Sequence, residues 1–400
     1  MHSTAPIVPA QSRRNSAETY RYVEAIPFAL AHVVCLGAIW TGVQGSDVAI
    51  AVGLYALRMF AVTAGYHRYF SHRAFKTGRA FQFVLAVLAQ TSAQRGVLWW
   101  AANHRHHHRY SDTADDTHSP VRDGFWHAHL GWFFTERHLR TDLAAVRDLA
   151  KYPELRWLDR HPYLPAVLAG FVVWLLAGWS GLVVGFFWST VAVWHATFSI
   201  NSLAHVIGRR RYVTGDQSRN NWWLALLTFG EGWHNNHHHY QSAARQGFRW
   251  YEFDASFYVL RALATVGLIR DLRAPPVHVV RGDQPLRPAI VERAASLLVA
   301  SFPVERIAAD VRAQLAGRVG DWRHRFDGRL AVMRRDLEEL VSTVHLPPMP
   351  TLSDLHARAA VLFARSPSMN DIVGRARQKL IETVCETLLG GDAAFVPARA

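Results

Sequence analysis

The chain has 400 residues, of which 50% are hydrophobic and only 19% are charged, below the roughly 25% charged residues of ordinary soluble proteins. This composition excludes an intrinsically disordered or fibrous protein. Lys and Arg number 44 against 31 acidic residues, and the net charge of +13 suggests binding to nucleic acid or to a membrane surface. Only Cys35 and Cys385 are present, which excludes a disulfide framework or a cysteine metal site.

Residues 1–21 are polar and lack the apolar segment of a secretory signal, so they predict a cytosolic arm. Four apolar stretches follow in two pairs, each close to the roughly 20 residues that cross a bilayer as a helix. They are residues 25–43, 48–66, 163–179 and 182–200. The link Gln44–Asp47 joins the first pair and Ser180-Gly181 the second. Links this short predict two helical hairpins, each with both outer ends on one side of the membrane.

Positive charge is distributed unevenly around these hairpins. Neither link contains Lys or Arg, whereas both residues are frequent between the pairs, and Arg209–Arg211 follow the second pair. The positive-inside rule therefore places the N-terminus, the middle segment and the C-terminal half in the cytoplasm, with a bacterial cell membrane as the expected location. The net charge is explained by topology, and no nucleic-acid partner is expected.

The remaining segments complete an all-α membrane protein. The apolar run Phe81–Leu88 is too short to cross the bilayer and is expected at the interface or against the helical bundle. Beyond residue 270, apolar residues recur at helical spacing among many charges, as in Val304–Val319, Arg329–Val344 and Leu355–Phe363. The prediction is an arm (1–21), a membrane domain (22–270) and a soluble helical tail (271–400).

Nearly half of the 23 histidines fall into four clusters at predicted cytosolic boundaries. The clusters are Gly65–His72, Asn103–His108, Asn201–His205 and Glu231–His239. Two of them contain the spacing H-x-x-H-H, which places three imidazoles on one face of a helix. A run such as His106–His108 alone is more often a solvated loop, but four clusters on one membrane face indicate metal binding.

The histidines alone do not identify the metal. Imidazole nitrogen binds iron, copper, nickel or zinc, and all four remain open at this point. A structural zinc site needs only about four ligands, so this many histidines imply more than one ion.

The motifs HRYFSH, HRHHH, NSLAH and GEGWHNNHH resemble the histidine boxes of membrane fatty acyl desaturases, particularly the acyl-CoA Δ9 (stearoyl-CoA) desaturases. The resemblance spans roughly residues 25–260. It implies four transmembrane helices in two hairpins, with a cytosolic helical cap that holds a histidine-ligated di-iron site.

The resemblance also implies a ligand set. One iron would be bound by His67, His72, His108 and His238, with Asn201 supporting it through water. The other iron would be bound by His104, His107, His205, His234 and His237. Asp112, Asp116 and Glu231 are expected to orient imidazole N–H groups.

The implied reaction introduces a cis double bond, at Δ9, into a saturated acyl-CoA of about 16–18 carbons. No side-chain acid or base removes hydrogen from an unactivated methylene, so dioxygen is required as the oxidant. The resemblance assigns Gln94, Trp100 and Thr197 to a kinked substrate tunnel, although Trp100 alone would be interpreted as packing at the membrane interface. Tyr55 and Met59 would close the tunnel, and Met59 stands where relatives have a small residue, which favours chains nearer sixteen carbons.

Electrons are expected from a separate ferredoxin or cytochrome with its reductase, because no HPGG haem motif is present. Basic residues near the boxes suit an acidic donor, the phosphates of CoA or lipid headgroups; they are Arg105, Arg109 and Arg209–Arg211. Two related enzymes remain alternatives, an acyl-lipid desaturase and a membrane di-iron hydroxylase of the alkane or sterol type. A metal transporter is disfavoured, since its ligands would lie at the bilayer midplane.

Overall fold

A computed structural model describes residues 19–325, 349–364 and 367–390, so the predicted segment Arg329–Val344 lies outside the described residues. The chain forms two compact units. Unit 1 comprises Met1–Leu203, Trp223–Glu231 and Asp254–Arg273, and unit 2 comprises Ala204–Trp222, Gly232–Phe253 and Ala274–Ala400. Two stretches that the sequence placed in the membrane domain, 204–222 and 232–253, therefore group with the tail.

Unit 1 is built of helices with one short two-stranded sheet, in which β1 (Lys76–Thr77) pairs antiparallel with β2 (Ile269–Arg270). Its helices before the third apolar run are α1 (Ile26–Cys35), α2 (Ala38–Thr41), α3 (Gly45–Phe60), α4 (Arg79–Gln90), α5 (Val97–Tyr110), α6 (Pro120–Asp123), α7 (Phe125–His129), α8 (Arg147–Ala150) and α9 (Pro153–Arg160). The later ones are α10 (Leu164–Ser180), α11 (Ser189–Ser202), α12 (Trp222–Leu227) and α14 (Ala255–Thr265). The intervening helix α13 (His234–His239) belongs to unit 2. Wider π-helical turns continue α3 over Ala61–Ser71 and connect α10 to α11 over Gly181–Trp188.

Within the described residues, three helical runs are long and apolar enough to cross a membrane. They are Tyr22–Thr41, Gly45–Ser71 and Leu164–Ser202. The first two correspond to the first predicted hairpin, and the third, of 39 residues, covers both helices of the second. The short apolar helix α4 buries Leu85 and Ala89 against Gly65 of the second run, as expected of a helix that packs on the bundle.

The third run bends at Gly178, whose φ of 64° and ψ of −159° are not helical. Glycine adopts this conformation readily because it has no Cβ. Ala166 and Val173, before the bend, pack against Phe186, after it. The run therefore folds back on itself at the position where the sequence predicts a hairpin turn.

Arg58 lies in the second apolar run and is fully buried. Its Nη1 donates hydrogen bonds to Ser189 Oγ at 3.0 Å and to Thr190 Oγ1 at 2.8 Å, and its guanidinium stacks 4.3 Å from the centre of the Phe186 ring. A charge in hydrocarbon is costly unless polar groups or an aromatic face surround it. Arg58 is therefore held inside the protein, where it links the second and third runs.

Helix α5, which carries the second histidine motif, begins against a carboxylate of α9. Asp159 Oδ1 accepts hydrogen bonds from the backbone N–H groups of Leu98 at 3.0 Å and Trp99 at 2.9 Å. These are donors that a helix start leaves unsatisfied, and the negative charge is favourable at the positive end of the helix dipole. Position 96 must be glycine, because a Cβ there would lie 2.2 Å from Asp159 Oδ1.

Unit 2 has its own hydrophobic core, made by helices of the C-terminal segment. Ala295, Leu298, Leu355, Ile372 and Leu380 lie at its centre. The helices of unit 2 are α13 (His234–His239), α15 (Val277–Arg281), α16 (Pro288–Ala300), α17 (Val304–Arg325), α18 (Leu352–Leu362) and α19 (Met369–Gly390).

The Asp159→Ala substitution should destabilise the protein by about 1–2 kcal/mol, because it removes the carboxylate that caps α5. The measurement is the midpoint of thermal unfolding in detergent micelles. Asp142→Ala is the matched control, since Asp142 also accepts hydrogen bonds from two N–H groups, of Ala144 and Ala145, but in an exposed turn. Equal losses of stability in the two variants would contradict a special role for the cap of α5.

Candidate metal centre

In unit 1, four histidines converge: the ligand nitrogens of His67, His72, His104 and His108 all lie within 4.8 Å of one another. His104 Nε2 lies 2.8 Å from His72 Nε2 and 2.9 Å from His108 Nε2. Two nitrogens bound to one ion at about 2.0–2.1 Å and at right angles are about 3 Å apart, so this set fits a metal ion. His104 and His108 are one turn apart on α5, while His67 and His72 come from the π-helical turns and the end of the second apolar run.

Carboxylates contact the other ring nitrogen of two histidines in unit 1. His67 Nδ1–H donates to Glu231, and His107 Nδ1–H donates to Asp116 Oδ1 at 2.8 Å. A carboxylate at Nδ1 fixes the tautomer and leaves the lone pair of Nε2 available to a metal. Asp112, the third predicted carboxylate, accepts a hydrogen bond from Ser119 Oγ at 2.6 Å and donates its backbone N–H to Asp116 Oδ2 at 2.7 Å. It therefore shapes the turn that presents Asp116.

Asp116 is buried, which by itself opposes ionisation. The adjacent His107 ring and its hydrogen bond, with a further contribution from His118, outweigh burial and hold the pKa of the Asp116 carboxyl well below its usual range. The carboxylate is therefore charged at neutral pH and remains a strong acceptor for His107.

In unit 2, the buried histidines His205, His234 and His238 form a second set, with their ligand atoms within 4.8 Å of one another. His205 Nε2 lies 3.1 Å from His234 Nε2, a spacing that also fits two ligands of one ion. His237 lies on α13 beside them, its ring centre 5.7 Å from that of His238. The spacing H-x-x-H-H thus forms one face of a helix in α13 as it does in α5.

Asp216 supports the second set and was missed by the sequence reasoning. His238 Nδ1–H donates to Asp216 Oδ2 at 2.7 Å. Burial opposes the charge, but His238, its hydrogen bond, His205 and Ser218 hold the pKa of Asp216 well below its usual range. The only signal in the sequence is a polar turn, Thr214–Ser218, in which hydroxyl groups donate to the same carboxylate.

Two asparagines within the fourth motif fix α13 in place. Asn235 Oδ1 accepts hydrogen bonds from the backbone N–H groups of Arg211 and Tyr212, both at 2.8 Å. Asn236 Nδ2 donates to Glu252 Oε2 at 2.9 Å. Because α13 has only six residues, these side-chain bonds supply the rigidity that its own backbone bonds cannot.

A small cavity of about 30 Å³ lies beside His104 in unit 1. Three residues that the resemblance assigns to substrate line it, Gln94, Trp100 and Thr197, together with Asn201. Gln94 Nε2 donates to Thr197 Oγ1 at 3.2 Å, and the Trp100 ring stacks on His104 at 4.8 Å between centres. The structure therefore brings together four residues that are up to 107 positions apart in the sequence. His118 also lines this cavity and was not predicted as a site residue.

A much larger apolar cavity of about 570 Å³ lies among the apolar helices of unit 1. Gln94, Phe133 and Phe198 line both cavities. Its other walls are mostly aromatic and aliphatic, and include Ala31, Ala166 and Phe186. The large apolar cavity therefore adjoins the small cavity that His104 lines.

Tyr55 and Met59, the predicted end of the tunnel, are not among the residues that line these two cavities. The Tyr55 hydroxyl donates to the backbone oxygen of Leu227 at 2.7 Å, and Met59 is buried with an exposed fraction of 1%. Their effect on substrate length remains a prediction.

Two of the predicted basic residues, Arg105 and Arg109, line a polar cavity of about 500 Å³ in unit 1. Arg137 and Arg140, which were not predicted, line it as well. Arg105 also forms an ion pair with Asp148 at 2.7 Å. In unit 2, Arg211 pairs with the buried Glu252 and Arg210 donates to Gln217, so these two side chains serve the local structure.

Comparison with known proteins gives consistent matches to this chain. A family model described as fatty acid desaturase matches residues 46–269. An acyl-CoA 5-desaturase of Anemone leveillei is 36% identical over 252 residues, which are 61% of this chain and 77% of that protein. An sn-1 stearoyl-lipid 9-desaturase of Synechocystis is 37% identical over 216 residues, 54% of this chain and 68% of that protein. An sn-2 palmitoyl-lipid 9-desaturase of Nostoc is 32% identical over 272 residues, 67% of this chain and 95% of that protein.

The Asp116→Asn substitution should weaken metal binding by about 10–100-fold, because the amide is a poorer acceptor for His107 Nδ1–H than the carboxylate. Metal content is measured after equilibration with a competing chelator. Asp115→Asn is the control, since Asp115 is the preceding residue and its side chain is 63% exposed. A metal affinity unchanged by Asp116→Asn would contradict this role.

Proposed function

The chain belongs to the fatty acid desaturase family, and from this we propose that it introduces a cis double bond, at Δ9, into a saturated acyl-CoA of about 16–18 carbons. The histidines of the four motifs supply the ligands for two iron ions, and dioxygen is the second substrate. The alternative within the family is an acyl-lipid substrate, since the relatives include desaturases named for acyl-CoA and for lipids.

One observation carries this proposal: a histidine set that fits a metal lies near a large apolar cavity in unit 1. His104 lines the small cavity, and Gln94, Phe133 and Phe198 connect its wall to that of the large one. An acyl chain in the large cavity would pass Gln94 and Thr197 before it reaches His104. A transporter has no need of such an apolar space next to its ligands.

The proposed ligands are His67, His72, His104, His107, His108, His205, His234, His237 and His238, with Asn201 as a supporting residue. When bound, the iron ions supply the redox chemistry by which dioxygen removes two hydrogens from adjacent methylenes. Glu231 and Asp116 hold the imidazoles of His67 and His107 in the tautomer that binds metal. Gln94, Trp100 and Thr197 hold the chain in one bend, and the aromatic wall excludes water from the reacting carbons.

The polar cavity suits the carrier of the acyl chain. Arg109, Arg137 and Arg140 match the phosphates of CoA, and a phospholipid headgroup offers the same chemistry. We propose acyl-CoA as the carrier, and assays with purified acyl-CoA and with acyl-lipid vesicles separate the two substrates.

We further propose four membrane crossings, with both termini and the histidine motifs in the cytoplasm. The bend at Gly178 supports two crossings within the third apolar run, because the chain reverses there. Electrons would come from a separate ferredoxin or cytochrome, which would dock on the cytosolic side.

Expression of the protein in cells with a competent electron donor should produce new cis-monoenes, detected by analysis of total fatty acids for chain length and double-bond position. His107→Ala should abolish these products without loss of membrane insertion, because it removes a proposed ligand. His161→Ala, at an exposed position outside the proposed ligand set, should leave them unchanged. Hydroxylated products would favour the hydroxylase alternative, and unchanged fatty acids with intact protein would contradict the proposal.

If the acyl chain occupies the large cavity, a larger side chain at Ala166 in its wall should limit the length of the acyl chain. Ala166→Leu adds three carbons to its wall, so the product profile should shift towards shorter chains by about tenfold or more, the usual effect of a methylene that no longer fits an apolar pocket. Met59→Ala is tested in parallel and should favour longer chains if Met59 closes the tunnel. An unchanged profile for Ala166→Leu would show that this cavity does not hold the acyl chain.

A further inference from the structure

A buried ion network lies next to the first histidine motif. Arg68 follows His67 in the sequence, and only 1% of its side chain is exposed. Its Nη2 lies 3.2 Å from Glu231 Oε1, and its Nη1 lies 2.9 Å from Asp254 Oδ1. One guanidinium therefore bridges two carboxylates, and all three groups are buried in unit 1.

Glu231 divides its two oxygens between Arg68 and His67. Oε1 accepts from Arg68 Nη2 and Nε, the latter at 3.3 Å, while Oε2 accepts from His67 Nδ1–H. Because two donors of the rigid guanidinium meet the same oxygen, they fix the position of Oε1. The direction of Oε2, and with it the orientation of the His67 ring, therefore depends on where Arg68 is held.

Asp254 holds the other side of Arg68. Its Oδ1 also accepts a hydrogen bond from the backbone N–H of Phe257 at 3.0 Å, so the carboxylate is fixed at the start of α14. Gly230 makes room for the contact, since a Cβ there would lie 2.4 Å from Asp254 Oδ1 and 2.9 Å from Arg68 Nη2. With φ of 122°, this position also favours glycine. The absence of a side chain at position 230 thus allows Arg68 and Asp254 to come into contact.

We propose that Asp254 is a positioning residue for His67, acting through Arg68 and Glu231 to orient the imidazole towards the metal of unit 1. Asp254 Oδ1 accepts from Nη1 of Arg68, while Nη2 and Nε meet Glu231 at Oε1. The Oε2 atom then remains the acceptor for His67 Nδ1–H. This inference rests on the proposed metal centre, in which His67 is a ligand.

The Asp254→Asn variant tests the link, because its amide oxygen can still accept from the N–H of Phe257 and cap α14 while the negative charge is lost. Purified protein in detergent is loaded anaerobically with ferrous iron alone against a competing chelator. The concentration of free iron at half-loading should rise about tenfold, the lower end of the range for groups that orient a metal ligand. Thermal unfolding of the metal-free protein is recorded beside it.

Asp47→Asn is the matched control. Asp47 is also buried in unit 1, with an exposed fraction of 2%, and its carboxylate accepts from the backbone N–H of Gln44 at a helix start. Iron loading of this variant should equal that of the wild type, even where its unfolding midpoint falls. Arg68→Lys tests the link between Asp254 and Glu231 at Arg68 itself. Lysine keeps the charge but not the planar set of donors, so the same weakening of iron binding is expected.

The results distinguish three situations. Weaker iron binding in Asp254→Asn and Arg68→Lys, with unchanged binding in Asp47→Asn, supports the positioning role. Iron binding equal to wild type in both variants overturns it and leaves the buried ion pairs a purely structural role. A wild type that binds no iron overturns the proposed metal centre itself. If Asp254→Asn does not fold, Arg68→Lys alone decides between the first two results.

Discussion

The hydrogen bond between an imidazole Nδ1–H and a buried carboxylate is the interaction on which the rest of the site depends. Glu231 and Asp116 make it in unit 1, and Asp216 makes it in unit 2. A buried carboxylate without a partner is costly, and a histidine without one has no fixed tautomer. Each pair removes both problems, since the acid is stabilised in its charged form and the Nε2 atom of the histidine is left to bind metal.

One of these pairs is carried by an apolar helical run. The second apolar run presents His67, and Arg68 beside it would be unfavourable in hydrocarbon without the two carboxylates that enclose it. Arg58 in the same run has no carboxylate partner among the described residues; its Nη1 donates to hydroxyl groups and its guanidinium stacks on an aromatic face. Both arginines are buried in the protein, so the outer surface of this run stays apolar.

Two kinds of signal made much of the site predictable from the sequence. The spacing H-x-x-H-H is local, so it identifies His104 with His108 and His234 with His238 as neighbours before any fold is known. The motifs then resemble one family closely enough to name the expected ligands and the residues Gln94, Trp100 and Thr197. Asp216 and Asp254 carry no such signal, because each meets its partner only after the chain has folded.

The sequence by itself determined the apolar runs, the histidine-bearing helix faces and the family, because these depend on local spacing and on motifs that are contiguous along the chain. The tertiary structure decided which carboxylate stands behind which histidine, since those pairs join residues far apart in the sequence. It also decided where the apolar cavities lie, because they depend on how distant segments pack, which the periodicity of the sequence does not reveal. The grouping of residues 204–222 and 232–253 with the C-terminal helices is of the same kind, because compact units are defined by contacts between distant segments.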